Sequence, residues 1–306
     1  MKIWLQLLYS LIFFVLVSCN SSQKNEKQKN LNDWESGTAR IHADTNLRYL
    51  LDQIIPVYEH FHPKSKLIVE YNNEDALISD FKADKNKIIL VSTAFDPEEL
   101  AYCEQIQKAK IIQYTFGYDA IAVIASRQNP DSVFYLNQLA EMLQNKKTPL
   151  VFDHVQSGIA KALMQQVKIN PALFKNALVV NNLKDVVNYV VAKPESIGFI
   201  PFNLVSNDED VVSKRLLEKI KLLPVHLNDT TFYLSQNDLA NGQYPLYRPI
   251  SIIIGNTDEV NALGFADFLM NQQVSKIMIH SGVIPTLMPE RLYQYTEEFH
   301  PEGKKK

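Results

Sequence analysis

From Gly37 onward, the 306-residue chain predicts an α/β fold built on largely parallel sheets. Short β-branched runs alternate with segments whose apolar residues recur at helical spacing. The length suffices for a large core, as one bilobal unit or two modest domains. With 46% apolar and 21% charged residues, the composition is that of a folded globular chain.

The elements follow in order. ARIHAD (39 to 44) predicts a strand. LRYLLDQIIPVYEHF then places apolar residues at 47, 50, 51, 54, 55, 58 and 61, one face of a helix. LIVEY (67 to 71) is a second strand, EDALISDFKA a helix and KIILVST (87 to 93) a third strand. DPEELAYCEQIQKA opens a helix with Asp96 as cap, Pro97 in its first position and Glu99 three residues after the cap. IIQYTFGYDAIAVIAS (111 to 126) is long for one strand and is divided by Gly117, so it suits a segment leaving one sheet for another. SVFYLNQLAEMLQ reads as helix, LVFD as strand, SGIAKALMQQV as helix, ALVVNN as strand, LKDVVNYVVAK as helix and SIGFIPF (196 to 202) as strand. Residues 203 to 240 are polar and carry no clear period. LYRPISIIIG predicts a strand interrupted near its start by Pro249, and EVNALGFADFLMNQQVSKIMIHSG one long amphipathic helix ended by Gly282.

The N-terminus speaks to location. Lys2 precedes the apolar stretch IWLQLLYSLIFFVLV, about 15 residues, which is short for the roughly 30 Å of a bilayer core and suits a signal peptide. The stretch ends in LVSC (16 to 19), similar to the lipobox of bacterial lipoproteins, which implies lipidation of Cys19 and an extracytoplasmic, membrane-tethered protein. An uncleaved anchor with an incidental cysteine is the alternative. Residues 20 to 35 are polar and predict a flexible tether. Cys103, the second of two cysteines, then stays unpaired, a small apolar helix residue rather than a nucleophile.

Function classes narrow next. A net charge of −3 gives no basic face for nucleic acid. His42, His60, His62 and His154 form no metal-ligand spacing, and no nucleophile elbow or phosphate loop occurs, so neither metal, cofactor nor enzymatic activity is expected. In parallel sheets, ligands sit beyond the carboxyl ends of strands. Those ends are Asp44 to Leu47, Ser92 to Ala94 and Asp153 to Gly158. Ser157 and Gly158 also mark a helix start, where free backbone N–H groups and the helix dipole favour an anion. Simple capping by Ser157 is the other reading.

The order of SGTARIHADTNL, FGYDAIAVIAS, VFDHVQSGIAKAL, PESIGFIPFNLV, NGQYPLYRPISIII, GFADFLMNQQVSKIMIHSGVIPT and PER (289 to 291) resembles the type 2 periplasmic binding proteins, in particular phosphate-binding subunits of ABC importers. The resemblance spans roughly residues 36 to 291. It implies two α/β lobes joined by two crossing strands, with 36–117 plus 225–296 as one lobe and 118–224 as the other. The tail 297–306 lies outside both. It also implies a monomer that holds phosphate or a related small anion in the cleft and serves ABC permease subunits. Carried over by motif, the ligand-binding candidates are Thr45, Asn46, Ser92, Thr93, Asp119, Asp153, Ser157 and Gly158, with Asp119 a ligand acceptor or a hinge-holding residue.

The chain departs from that pattern at three places. YNNED (71 to 75) replaces a Gly and Ser-rich turn, Ile159 replaces Thr or Ser, and Asp153 stands where the family has Arg. A carboxylate about 5 Å from a bound anion costs about 3 kcal/mol at an effective dielectric near 20, roughly 100-fold in affinity. Phosphate capture therefore requires Asp153 to point away or Arg40, Arg48 or Arg127 to compensate. The Tyr and Arg of QYPLYRPI, expected near the surface, read as lobe-interface packing. The alternative function is an accessory or interaction lipoprotein that keeps the fold without phosphate.

Overall fold

The computed structural model describes Trp34 and residues 36–207 and 209–289. The expected signal peptide with Cys19, all of the tether except Trp34, and the tail lie outside the described residues.

Nine-residue strands β1 (Ser36–Asp44) and β2 (Lys64–Asn72) pair in parallel, and β1 also pairs in parallel with β3 (Ile88–Val91). Helix α1 (Arg48–Phe61) joins β1 to β2, and α2 (Glu74–Lys82) joins β2 to β3. Asn73 caps α2, its side chain accepting from the Ala76 N–H. Helix α3 (Pro97–Gln107) has the expected capping box between Asp96 and Glu99.

Strand β4 (Ile112–Ser126) carries the chain across the molecule. A first stretch pairs antiparallel with β12 (Tyr247–Ile254), and a later one with β8 (Ile197–Pro201). The β4–β12 register shifts between Ile250 and Ser251, a bulge that lets the ladder continue past Pro249, which has no N–H to donate. Between these strands come β5 (Phe134–Tyr135), α4 (Leu139–Asn145), β6 (Leu150–Phe152), α5 (Gly158–Val167), β7 (Leu178–Val179) and α6 (Leu183–Ala192). The main sheet runs β2-β1-β3-β12-β4-β8-β6-β7, parallel at both ends and antiparallel where β12 and β4 pass through the middle.

Three corrections concern secondary structure. SVFYLNQLAEMLQ, expected as helix throughout, is α-helical only from Leu139, because Phe134 and Tyr135 form β5 and pair with a later strand. The stretch without a clear period holds α7 (Val211–Leu217), β9 (Ile220–Leu222), β10 (Val225–Leu227), β11 (Thr230–Phe232) and α8 (Gln236–Ala240). These elements are too short for a period to register. The single C-terminal helix is two, α9 (Asn261–Leu269) and α10 (Gln272–His280). Asn271 breaks them apart, because its side chain accepts the Val274 N–H and so caps the second helix. Gly282, at φ +74°, ends α10 as expected.

The apolar cores divide as the sheet does. Ala39, Leu50, Ile54, Phe116, Ile252 and Phe265 belong to one, flanked by a smaller cluster around Phe81 and Val91. Ile121, Phe152, Leu163, Val187, Phe199 and Tyr244 belong to another. Val225, Leu239 and Leu246 also pack in the second core, and Ile250 and Ile252 in the first. The carboxyl ends of β1, β3 and β6 meet at one buried place, here called the cleft, where Asn46 reaches Asp153 and Gly158 lies against Asp44 and Ser92.

Candidate functional site

The cleft is built where Asp44 ends β1, Ser92 and Thr93 follow β3, and Asp153 follows β6. Its far wall is the start of α5, where Ser157 is the N-cap and its hydroxyl accepts the Ala160 N–H at 3.4 Å. Ser157 and Gly158 are buried. The Gly158 N–H donates to the Asp44 carboxylate. A β-carbon added to Gly158 would lie 2.6 Å from Glu74 Oε2, 2.8 Å from Asp44 Oδ2 and 2.8 Å from Ser92 Cβ, so a side chain here would collide with the opposite wall. The expected helix start at Ser157 and Gly158 is present, and two of the protein's own carboxylates stand against it.

Glu74 comes from the first turn of α2 and is fully buried. Its carboxylate accepts the Ser92 N–H at 2.6 Å and the Thr93 hydroxyl. Asp44, also fully buried, accepts the Asn46 N–H at 3.3 Å and the Ser92 hydroxyl at 3.4 Å. Burial pushes the Asp44 carboxyl above its usual range, offset by the nearby Arg248 charge and by the Asn46 and Gly158 donors. Burial also pushes Glu74 up, to about 7, with the neighbouring Asp44 charge adding to it. Asp153 is raised to about 6 by burial and then by Asp44, against hydrogen bonds from Ser157 and the His154 backbone.

Arg248 is the cation of the cleft floor and has no exposed surface. It sits opposite Asp119 in the β4–β12 register and donates to Asp119 Oδ2 at 3.0 Å and to the Ser92 hydroxyl at 2.8 Å; Asp44 Oδ2 is 3.8 Å away. Asp119 further accepts from the Ala120 N–H at 2.9 Å and from Asn203, through its N–H at 3.3 Å and its Nδ2 at 3.1 Å. Burial raises the Asp119 carboxyl, and Arg248 only partly offsets this.

Several of the expected site residues meet here: Asn46, Ser92, Thr93, Asp119, Asp153, Ser157 and Gly158. Asn46 bridges the walls, its Nδ2 donating to Asp44 Oδ1 at 3.3 Å and to Asp153 Oδ2 at 3.2 Å. Asp153 is turned inward rather than away. Thr45 stands apart, its hydroxyl donating to the Asn72 carbonyl at 3.2 Å. The three arginines considered as compensating cations are engaged elsewhere. Arg40 pairs with Glu70, Arg48 lies 3.8 Å over the Tyr71 ring, and Arg127 donates to the Leu217 and Glu218 carbonyls. Arg248, expected near the surface as packing, takes that place instead. Across the walls, Lys161 pairs with Asp75 at 2.7 Å and the Asp75 N–H donates to the Gln156 carbonyl at 3.4 Å.

Glu74, Asn203 and Arg248 are the residues that sequence reasoning missed, and Asp44, marked only as a strand end, is not among the ligand-binding candidates. Arg248 carried a signal, since a charged residue within the apolar run YRPISIII shares the inward-facing alternation of Ile250. Glu74 carried none, because an acid in a helix's first turn ordinarily serves the helix dipole on the surface. Four buried atoms of the cleft have no hydrogen-bond partner: Arg248 Nε, Asn46 Oδ1, Asp153 Oδ1 and Asn203 Oδ1. Among the described residues, no cluster of His, Cys, Asp and Glu could hold a metal ion. Cys103 is buried within α3.

Solved structures share the fold. One, described as a phosphate ABC transporter substrate-binding protein with bound phosphate from Clostridium perfringens, aligns with a TM-score of 0.67 at 16% identity over 82% of this chain and 100% of that one. An ABC-type phosphate transport receptor from Vibrio cholerae aligns at 0.59, with 19% identity over 81% and 100%. The reduced OxyR regulatory domain from Pseudomonas aeruginosa aligns at 0.51, with 12% identity over 78% and 98%, so one architecture carries more than one role. No curated protein sequence matches. A family model described as a PBP superfamily domain matches residues 34–273, and the chain belongs to that superfamily.

Proposed function

We propose that the protein is an extracytoplasmic, lipid-anchored binding protein that takes phosphate or a related small oxyanion into the cleft between its two lobes and passes it to an ABC permease. The observation that carries this reading is convergence. The Gly158 and Ser92 N–H groups, the Ser92 and Thr93 hydroxyls and Arg248 all donate to oxygens of acidic groups at one buried place. Such a set of donors recognises oxyanions by hydrogen bond and charge, with neither metal nor cofactor. The descriptions of the Clostridium and Vibrio proteins agree with this ligand class. LVSC and the polar segment after it supply the anchor, and a binding rather than catalytic role follows from the donor set.

Isothermal titration of the chain from residue 34 onward with inorganic phosphate tests the reading, after unfolding and refolding to strip carried ligand. Binding at pH 5 that weakens at pH 7.5 is the expected result, because the cleft carboxyls gain protons on the acid side. Absence of heat at both pH values, with the domain folded, would end the phosphate assignment.

A second reading is favoured by one specific observation, the filling of the α5 start by Asp44 and Glu74. On that reading the chain is an accessory lipoprotein that keeps the fold and acts through a protein partner. Crosslinking at the cell envelope separates the two: recovery of importer subunits alone argues for transport.

A further inference from the structure

We propose that Glu74, with Asp44 beside it, is a built-in ligand: its carboxylate occupies the oxyanion seat, holds the cleft closed without solute, and must leave before an external oxyanion can bind. The inference rests on the reading of the cleft as the binding site.

The geometry has three parts. Glu74 takes the Ser92 N–H and the Thr93 hydroxyl, two of the donors an oxyanion would use on the β3 side. On the α5 side, Glu74 Oε2 and Asp44 Oδ2 stand so close against Gly158 that even a methyl group there has no room. Next in the chain, Asp75 is tied to α5 by Lys161 and by the Gln156 carbonyl, so the turn that presents Glu74 is latched to the opposite wall.

The seat is also unfinished in a way a carboxylate cannot remedy. Arg248 Nε is a fully buried donor without a partner, and Asn46 Oδ1, Asp153 Oδ1 and Asn203 Oδ1 are buried acceptors without one. A carboxylate has two oxygens and, ionised, no proton to give. A partly protonated tetrahedral oxyanion offers four oxygens, both accepting and donating, and matches that mixture. The ligand class is therefore a protonated tetrahedral oxyanion such as dihydrogen phosphate.

Charge sets the pH at which exchange occurs. Asp44 from the end of β1 and Lys161 from α5 act on the Glu74 charge, Asp75 is next to it in α2, and Asp153 from the loop after β6 and Arg248 from β12 stand beyond, by Asp44. Carboxyls outnumber cations, and Lys161 is engaged by Asp75. Adding an anion on top of an ionised Glu74 is unfavourable, and protonating Glu74 relieves this.

The test uses inorganic phosphate and the chain from residue 34 onward, with small-angle scattering to read lobe closure. Wild type should be closed without phosphate and bind it weakly at pH 7.5. Glu74→Ala should open without phosphate, close on adding it, and bind it about 100-fold more tightly than wild type, the factor one like charge about 5 Å away carries at an effective dielectric near 20. Glu74→Gln keeps the side-chain volume and covers the case in which the alanine variant does not fold. Its affinity at pH 7.5 should rise at least about tenfold, the loss of one charge in a partly filled seat.

Wild type that is open without phosphate and closes on micromolar phosphate at pH 7.5 overturns the built-in ligand and leaves the phosphate reading standing. Folded variants that stay closed and gain no affinity overturn it as well. Variants that open but bind no phosphate, with wild type silent at pH 5, retain the built-in ligand and remove phosphate as the solute.

Discussion

On the β4 and β12 side of the cleft, Asp119 faces one cation, Arg248, and both its oxygens are also reached by Ala120 or Asn203. On the α2 and α5 side, Asp44, Glu74 and Asp153 crowd one helix start, and their donors are mostly neutral N–H and O–H groups. The first side is a buried ion pair in which both Asp119 oxygens are hydrogen-bonded and Arg248 Nε is left without a partner, an arrangement in which low dielectric strengthens the attraction. The second is a group of like charges for which the same burial is a penalty, relieved by taking up protons. Burial penalises the charged carboxyl on both sides; on the first the neighbouring cation offsets part of that penalty, and on the second the like charges add to it.

Removing Arg248 should break this comparison most severely. Arg248→Met strips the cation from Asp119 and Asp44 while keeping much of the volume, and leaves two buried carboxyls uncompensated. A loss of about 3–5 kcal/mol in urea denaturation is expected, the usual cost of orphaning one half of a buried pair. Arg248→Met with Asp119→Leu should recover a large part of it. A double variant as unstable as the single one would mean that Arg248 acts through packing or Asp44 rather than through Asp119.

The pH dependence of stability addresses the other side. Glu74 is raised from 4.5 to about 7 and Asp153 from 3.8 to about 6. A carboxyl with a folded pKa above its unfolded value binds protons more tightly when folded, so its contribution is complete below the unfolded pKa and is lost as pH rises through the folded one. Urea midpoints should thus fall between about pH 5 and pH 8, by roughly 1–3 kcal/mol in stability, since each tenfold gain in proton affinity on folding is worth about 1.4 kcal/mol. Glu74→Gln should flatten the upper part of that fall. A stability that rises steadily over this range would show that the α2 and α5 side does not hold its protons.

These two sides also differ in how far the sequence discloses them. The strand and helix order of residues 39–126, the Asp96 cap, the long crossing segment divided near Gly117 and the Ser157–Gly158 helix start are all written in local patterns. Asp153 stands out in sequence as a misplaced carboxylate, and it does face inward. Glu74 is illegible because it fits a bland local role, a first-turn acid, and Asp44 is legible only as a strand end, not as a carboxyl turned into the site. Only the return of α5 against both makes them a site. Arg248 shows in sequence only its alternation with Ile250; its partner Asp119 lies over a hundred residues earlier and is brought opposite it by the β4–β12 register.

Gly158→Ala probes the contact between the walls themselves. The added methyl has no room between Glu74 Oε2, Asp44 Oδ2 and Ser92 Cβ. Overpacking of this kind costs about 1–3 kcal/mol, and here the walls can respond by parting. Scattering should show an expanded particle, with stability lowered less than by Arg248→Met. An unexpanded particle of unchanged stability would mean that the walls already yield at this point.

Asp96→Ala supplies the smallest effect and the control. The start of α3 uses the same backbone donors as α5, but its partners are its own exposed Asp96, accepting the Glu99 N–H at 2.8 Å, and Glu99, accepting the Asp96 N–H at 3.2 Å. Losing that cap should cost about 1 kcal/mol. Phosphate titration and scattering should not change, because nothing at α3 reaches across the cleft. A change in either would mean that helix starts in this fold report to the cleft through the sheet, and the distinct standing given to Gly158 would fall.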